Sequence, residues 1–152
     1  MPGTVVGVAS ERDVLVLEAD ANPNDLLASL DEHHVSGKQL HVSTDAAHVT
    51  LVISRENLHN EALVRRALTS RFDDRVRFVD GLGAVSAIGA GINATYANVR
   101  AGFSALLQAA VQPYSLSTSS FRITWMVPSE CVAAAVRALH SRFIESAAPL
   151  VP

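Results

Sequence analysis

Four consecutive hydroxyl-bearing residues, Ser-Thr-Ser-Ser at 117–120, end a β-rich stretch and are predicted to lie beside a turn at 91–95. Hydroxyl groups both donate and accept hydrogen bonds, so this strand and this turn could line a pocket for a small polar molecule. A half-exposed edge strand with polar side chains toward solvent would show the same pattern. The residues alone leave both interpretations open.

A short glycine-rich segment, Gly-Ala-Gly at 89–91, precedes that turn. A dinucleotide-binding fingerprint needs a third glycine and a downstream acidic residue, and neither is present. The glycine pair instead indicates a strand end that other backbone must approach closely. We therefore expect no nucleotide cofactor.

The histidines and the single cysteine show no arrangement typical of a metal or catalytic site. His33, His34, His41 and His48 follow no closed metal-binding spacing. Cys131 is predicted on the first turn of the last helix, with no neighbouring base to activate it as a nucleophile. The sequence therefore predicts no catalytic residue, no metal and no cofactor.

Composition excludes several classes of protein. The chain has 152 residues, 49% of them apolar and 18% charged, which excludes a disordered chain and allows a sizeable core. The net charge is −3, and eleven arginines are spread along the chain, so nucleic acid is not an expected partner. Neither a secretory signal nor a membrane-spanning apolar run is recognisable, so no membrane partner is expected. We expect a cytoplasmic protein that self-associates, because so apolar a chain exposes apolar surface as a monomer.

A repeated heptapeptide divides the chain into two similar halves. Arg-Ala-Leu-Thr-Ser-Arg-Phe at 66–72 recurs as Arg-Ala-Leu-His-Ser-Arg-Phe at 137–143, with six identities in seven positions. Each copy ends a helical pattern, with its leucine and phenylalanine on one apolar stripe. Internal similarity of this kind indicates two copies of one structural unit.

Each half reads strand, helix, strand, strand, helix. Strands are predicted at 13–19, 39–44, 48–53, 76–89, 114–118 and 121–127, and helices at 25–34, 56–72, 97–111 and 129–143. Each unit needs one further strand. The segments available for it are 3–9, the two parts of 76–88 on either side of Gly-Leu-Gly at 81–83, and the tail 145–152.

This order of elements makes a sheet covered on one face by helices. We predict an α+β fold of two tandem ferredoxin-like βαββαβ units, with antiparallel sheets and helices on one face of each. The first unit is predicted at 1–75 and the second at 76–152, with the tail 145–152 as an edge strand of either unit.

Four segments of the second half share their order and spacing with one known family: Gly-Ala-Gly-Ile at 89–92, Leu-Ser-Thr-Ser-Ser at 116–120, Phe-Arg-Ile-Thr at 121–124 and Ala-Val-Arg-Ala-Leu-His at 135–140. In these segments the chain resembles the C-terminal regulatory region of aspartate kinase, a tandem pair of ACT domains, and the separate regulatory (beta) subunit of that enzyme. The first half is similar more weakly, through Val-Val-Gly-Val-Ala at 5–9. Nothing similar to the kinase domain is recognisable, so the resemblance implies a regulatory protein and not an enzyme.

In that family, the turn between first strand and first helix holds the carboxylate of an effector amino acid on backbone amides, and the start of a helix favours an anion. This chain lacks the family's Pro-Gly at both turns, which read Ala-Asn-Pro-Asn at 21–24 and Tyr-Ala-Asn-Val at 96–99. Asparagine tolerates the backbone conformations that glycine supplies. The resemblance implies effector-binding residues in both units: Asn22, Asn24, Asp25, Thr44, Ile92, Asn93, Thr95, Gln112, Ser117, Thr118 and Ser119.

The leading hypothesis from this resemblance is a stand-alone regulatory protein that binds an amino acid such as lysine, threonine or methionine. It would form a homodimer through its ACT units and modulate a separate aspartate kinase catalytic subunit. Ser120 stands where the family has an acidic residue that would hold the ammonium group, so the identity of the effector stays open. Two alternatives remain: an effector-independent assembly module, and an ACT fold repurposed as an enzyme on an amino-acid-like substrate.

Overall fold

A computed structural model describes residues 3–146, and these form six β-strands and four α-helices. The strands are β1 (Gly7–Asp20), β2 (Gln39–Ser43), β3 (His48–Ser54), β4 (Val76–Ile88), β5 (Ser115–Thr118) and β6 (Arg122–Pro128). The helices are α1 (Pro23–Glu32), α2 (Glu61–Phe72), α3 (Ala97–Gln108) and α4 (Val132–His140). None of these helices is long and apolar enough to cross a bilayer.

The chain folds as two compact units, with one inserted into the sequence of the other. The inner unit is Asp13–Gly81, and the outer unit comprises the described residues up to Arg12 and from Leu82 onward. These boundaries differ from the predicted ones at 1–75 and 76–152. The reason is that β1 and β4 have 14 and 13 residues, more than the usual five or six, and each runs from one unit into the other.

The inner unit has the element order β1-α1-β2-β3-α2-β4, which is the ferredoxin-like βαββαβ order. Its strands lie in the order β2-β3-β1-β4, and β3 pairs antiparallel with both β1 and β2. Alternate residues of β1 point to the helix-covered face, where Leu15 and Leu17 pack in one buried cluster with Leu26 of α1 and Leu68 of α2.

The outer unit has the strand order β1-β4-β6-β5, and β6 pairs antiparallel with β4 and β5. The N-terminal part of the chain supplies the additional strand that this unit needs. On the way into β1, the amides of Gly3 and Val6 donate to the carbonyls of Ala90 at 2.7 Å and Ile88 at 2.8 Å. The segment 3–9, one of those predicted for this role, therefore lies in the outer unit. Most of the tail at 145–152 lies outside the described residues.

The two copies of the repeated heptapeptide occupy equivalent places in the two units. Leu68 and Phe72 on α2 are 1% and 3% exposed, and Leu139 on α4 and Phe143 just beyond it are 0% and 6% exposed. The predicted helical stripe therefore packs against the sheet in both units. The predicted α+β class, with antiparallel strands and helices on one face, is confirmed.

Helix ends differ from the predicted ones where the backbone takes a left-handed turn. The helix predicted at 56–72 begins only at Glu61, because Asn60 has a φ of 55°. The helix predicted at 97–111 ends at Gln108, because Ala110 has a φ of 59°. Side-chain periodicity does not report such a local change of backbone conformation.

The C-terminus of α1 carries a strained residue. His34 has a φ of 55°, and the amides of His34 and Val35 donate to the carbonyls of Asp31 at 3.1 Å and Leu30 at 2.9 Å, which is a Schellman motif. A non-glycine residue is disfavoured in this conformation. We expect His34→Gly to raise the free energy of unfolding by about 0.5–1 kcal/mol in urea denaturation.

His33→Gly is the matched control for that substitution. His33 has an ordinary φ of −97°, and its Nδ1 donates to the carbonyl of Ser29 at 2.8 Å, so its replacement should lower stability. Equal effects of the two substitutions would contradict the proposed strain at His34.

Candidate functional site

Each unit brings its first strand-to-helix connection to the same end of the sheet as its strand hairpin. In the inner unit, β1 ends at Asp20 opposite His48, the first residue of β3, so the inner turn (residues 21–25) lies at the same end as Thr44 in the β2–β3 turn. In the outer unit, β4 ends at Ile88 opposite Arg122, the first residue of β6. The outer loop (residues 89–96) therefore lies at the same end as the β5–β6 turn.

The outer loop is tied to the β5–β6 turn through one side chain. The Asn93 amide donates to the carbonyl of Ser119 at 2.5 Å and to that of Arg122 at 3.1 Å. Ile92, next to it, is 1% exposed and inserts into the core of the outer unit. The structure thus brings together three of the predicted site residues, Ile92, Asn93 and Ser119. The Asn93 Oδ1 atom is buried and has no hydrogen-bond partner among the described residues.

The outer loop leads directly into α3. Only one backbone amide in the first turn of this helix bonds a local side chain. Tyr96 is the N-cap residue, is 80% exposed, and makes no side-chain capping bond. Thr95, another predicted site residue, accepts a bond of 3.2 Å from the Ala97 amide through its hydroxyl. The amides of Asn98 and Val99 lie in the first turn, where the helix itself supplies no acceptor. No acidic residue lies in this turn, so the helix start can accept an anion.

The four hydroxyls at 117–120 do not share one face. Ser117 lies opposite Thr124, whose hydroxyl bonds that of Ser86 at 2.8 Å on the helix-free face. Thr118 lies opposite Ile123, a core residue on the helix-covered face. Ser119 and Ser120 follow in the turn. Because side chains alternate along a strand, only part of the predicted hydroxyl group can face one ligand.

Gln112 is separated from the other predicted residues of the outer unit. It is exposed in the connection before β5, whereas Ser119 follows the opposite end of that strand. The whole length of β5 therefore lies between Gln112 and the turn that meets the outer loop. The structure does not bring Gln112 to the outer loop.

The inner turn leads into α1, whose N-cap side chain bonds one amide of the first turn. Pro23 occupies the first position of α1 and has no N–H, and the Asn22 side chain accepts a bond of 3.2 Å from the Asp25 amide. Asp25 also puts a negative charge on the first turn. Asn24 and Thr44 are exposed. The predicted residues of the inner unit thus lie at one end of its sheet, but with their helix start already capped.

A polar cluster that the sequence did not indicate lies beside the inner turn. The Asp20 carboxylate accepts a bond of 2.6 Å from His48 Nδ1 and one of 3.1 Å from Arg77. The hydrogen bonds from His48 and then Arg77 lower the pKa of Asp20 below its ordinary 3.8, so this carboxylate is ionised at neutral pH. These residues are 28 and 57 positions apart, so no sequence motif could have found the cluster.

The two units differ sharply in charge around these connections. Residues 82–129 of the outer unit contain two arginines, Arg100 and Arg122, and no aspartate or glutamate. Residues 13–54 of the inner unit contain seven acidic residues and one lysine. The outer loop therefore lies in a positively charged part of the chain and the inner turn in a negatively charged part.

Metal-ligating side chains are scattered. Within residues 3–146, no three histidine, cysteine, aspartate or glutamate side chains lie close enough together to hold one metal ion. His33 and His48 instead bond the carbonyl of Ser29 and the carboxylate of Asp20.

Sequence comparison finds no matching family model and no matching curated protein. Solved structures do match. The regulatory subunit of aspartate kinase from Thermus flavus superposes with a TM-score of 0.75 at 19% identity, over 92% of this chain and 99% of that one. This chain has the fold of an aspartate kinase regulatory subunit. The resemblance read from the four segments of the second half is therefore confirmed at the level of the fold.

Two further structures carry the same regulatory fold. A structure of aspartokinase alpha and beta subunits matches with a TM-score of 0.74 at 17% identity, over 92% of this chain and 99% of that one. Escherichia coli aspartokinase III in complex with lysine and aspartate matches with a TM-score of 0.71 at 19% identity. There the match covers 94% of this chain and 34% of the enzyme, so this chain spans about a third of that protein.

Proposed function

We propose that this chain is a regulatory subunit that binds a small amino acid in its outer unit and modulates an aspartate-kinase-type enzyme. The supporting observation is that it corresponds to 99% of a separate regulatory subunit of aspartate kinase. A regulatory protein of that size needs no catalytic residue of its own. It would act in the cytoplasm beside its enzyme, as the sequence predicts.

The outer loop offers the chemistry that an amino-acid effector needs. The amides of Asn98 and Val99 at the start of α3 would hold its α-carboxylate. Because residues 82–129 include no aspartate or glutamate, no side-chain carboxylate from this stretch would compete with the α-carboxylate for these amides or repel it. The Asn93 Oδ1 atom, which has no donor in the described chain, would accept a bond from the ammonium group once the loop opens to the ligand. Lysine, threonine and methionine are the candidate effectors.

A catalytic aspartate kinase subunit is the proposed macromolecular partner, because one matching structure is of aspartokinase alpha and beta subunits. We also propose a homodimer. Three large apolar side chains of the outer unit, Phe103, Leu107 and Tyr114, are 36–54% exposed, and association would remove them from water. The same observation favours the alternative of an assembly module that responds to no effector.

The test is thermal unfolding of the purified protein with each of the twenty amino acids at millimolar concentration. A ligand that binds only the folded state raises Tm, so lysine, threonine or methionine should raise it selectively. A catalytic subunit from the same cell should co-purify with the protein and respond to the same amino acid. Tight self-association with no shift from any amino acid would favour the assembly module instead.

Tyr96→Asp should abolish that ligand-induced shift. An aspartate at the N-cap accepts a bond from the first-turn amides and repels a carboxylate, so effector affinity should fall at least about tenfold. Without ligand, Tm should stay the same or rise, because aspartate is a better N-cap than tyrosine.

Tyr96→Phe is the neutral control and should keep the full shift. Retention of the shift in Tyr96→Asp would show that the carboxylate is not bound at the start of α3.

A further inference from the structure

A cavity of about 350 Å³ lies in the inner unit between α1 and the β2–β3 hairpin. This volume is in the range of pockets that bind small molecules. Asp31 and Leu40 are exposed members of its lining, so the cavity opens at the surface. The rest of the lining is Gly37 and four apolar side chains: Leu27, Leu30, Val35 and Leu51. The cavity is therefore apolar, with one carboxylate at its rim.

The outer unit has the same backbone arrangement at the equivalent place. The amide of Val35 donates to the carbonyl of Leu30 at 2.9 Å after α1, and the amide of Val111 donates to that of Leu106 at 2.8 Å after α3. In both units the residue before this valine has a positive φ. The ends of α1 and α3 therefore correspond residue by residue.

Two aromatic rings of the outer unit stand where the cavity of the inner unit has two leucines. Leu27 and Phe103 each lie three residues before the leucine that accepts that bond. Leu51 and Trp125 each pair with the second residue of the adjacent edge strand, β2 or β5. The rings of Phe103 and Trp125 pack edge-to-face, with centroids 6.2 Å apart. The smaller leucines leave room in the inner unit for a ring that a ligand supplies.

Charge around the cavity selects among ring-bearing ligands. Asp31 lines the cavity, and residues 13–54, which include most of the inner unit's cavity-facing elements, contain seven acidic residues and one lysine. A negatively charged surrounding attracts a cationic ligand and repels a carboxylate. The favoured ligand therefore carries an ammonium group and no acid group.

We propose that this cavity binds a small aromatic amine, with its ring against the leucines and its ammonium group beside Asp31. Transfer of the ring from water to the apolar lining would supply most of the binding free energy. An ion pair with an exposed carboxylate adds less, but it selects amines over acids. The site lies in the inner unit and goes beyond the proposed effector site in the outer loop, on which it does not depend.

Tryptamine is the probe, because it joins the indole ring of tryptophan to an ammonium group and has no carboxylate. Backbone amide signals of the full chain are followed by two-dimensional NMR during a titration at millimolar concentration, with sodium chloride at matched ionic strength as reference. The amides of Gly37 and Leu51 should shift and saturate. 3-Indolepropionate, which carries a carboxylate on the same ring, should bind at least about fivefold more weakly. No saturable shift with tryptamine, or equal binding of the two probes, would overturn the proposal.

Leu27→Phe should close the cavity from within. It places in the inner unit the phenyl ring that Phe103 supplies in the outer unit, so tryptamine affinity should fall at least about tenfold. Unchanged affinity in this variant would show that the ligand does not enter the cavity.

Asp31→Asn tests the charge without filling the cavity. Affinity for tryptamine should fall about two- to fivefold, whereas affinity for uncharged 3-methylindole should stay the same. Glu32→Gln is the matched control, because it removes a charge from the next residue of α1, which does not line the cavity. Equal losses in Asp31→Asn and Glu32→Gln would contradict an ammonium group beside Asp31.

Two further outcomes separate this proposal from its alternatives. Self-association that Leu40→Asp abolishes in sedimentation velocity, without any binding of tryptamine, would show that a second copy covers the cavity and would overturn the proposal. If tryptamine binds but no amino acid raises Tm, the effector role fails and this site stands. If an amino acid raises Tm but tryptamine does not bind, the proposed function stands and this site fails.

Discussion

Trp125→Ala should lower the free energy of unfolding by about 3–5 kcal/mol, measured by urea denaturation followed by circular dichroism. Trp125 lies in the middle of β6, is 0% exposed, and has the largest of the fully buried side chains in the described chain. Phe103 packs edge-to-face against it, with ring centroids 6.2 Å apart, and Gly102 leaves no room for a Cβ beside its ring. Removal of the indole ring would leave a cavity between the sheet and the helix. The closely packed neighbouring residues could not move enough to fill this cavity.

Two control variants sharpen this expectation. Phe121→Ala removes an aromatic residue from the adjacent turn, but Phe121 is 54% exposed, so the loss should stay within about 0.5 kcal/mol. Trp125→Phe should cost less than Trp125→Ala, because it keeps much of the ring volume and removes the indole N–H, which is buried and has no partner among the described residues. A loss below about 1 kcal/mol for Trp125→Ala would contradict the central packing role of this residue.

Gly83→Ala should lower the free energy of unfolding by an amount near the upper end of about 1–3 kcal/mol. A Cβ at this position would lie 2.9 Å from the carbonyl oxygen of Glu11 and 3.0 Å from that of Arg12, and would clash with the Val132 side chain. Two of these neighbours are backbone atoms of β1, which cannot give way without loss of the strand that completes the outer unit. Amide hydrogen exchange along 84–88 should therefore accelerate along with the drop in stability.

Gly7→Ala is the matched control, because a Cβ there meets no atom within 4 Å. Alanine restricts the unfolded chain more than glycine, so this variant should be neutral or about 0.5 kcal/mol more stable. Similar losses of stability for the two substitutions would show that the close approach of the β1 backbone to Gly83 is not what excludes a side chain at this position.

Both predictions concern the packing of the outer unit, whose sequence is interrupted by the inner unit. One strand segment of the outer unit precedes the inner unit in the sequence. The remaining elements of the outer unit follow the inner unit. The proposed effector loop starts where β4 leaves this sheet at Ile88. A substitution that loosens the N-terminal strand is thus expected to weaken effector binding as well as stability.

Local pattern was sufficient for much of this protein. The burial of Leu68, Phe72, Leu139 and Phe143 follows from apolar residues at helical spacing, because that spacing places them on one face of a helix. The α+β class followed from the same periodicities, and the resemblance of the segments at 89–140 identified the regulatory fold. These features could be read from the sequence because each depends on residues that are close together along the chain.

Only the tertiary structure decided which unit each part of β1 and β4 serves, because the period of a strand does not record which strands it pairs with. It also joined Asp20 to His48 and Arg77 across 28 and 57 residues. The difference between the two helix starts depends on whether a side-chain oxygen reaches a particular amide, and that is set by backbone geometry in three dimensions. The sequence thus determined the kind of unit and its buried faces, and the folded chain determined how the units share their strands and which side chains bond the amides at each helix start.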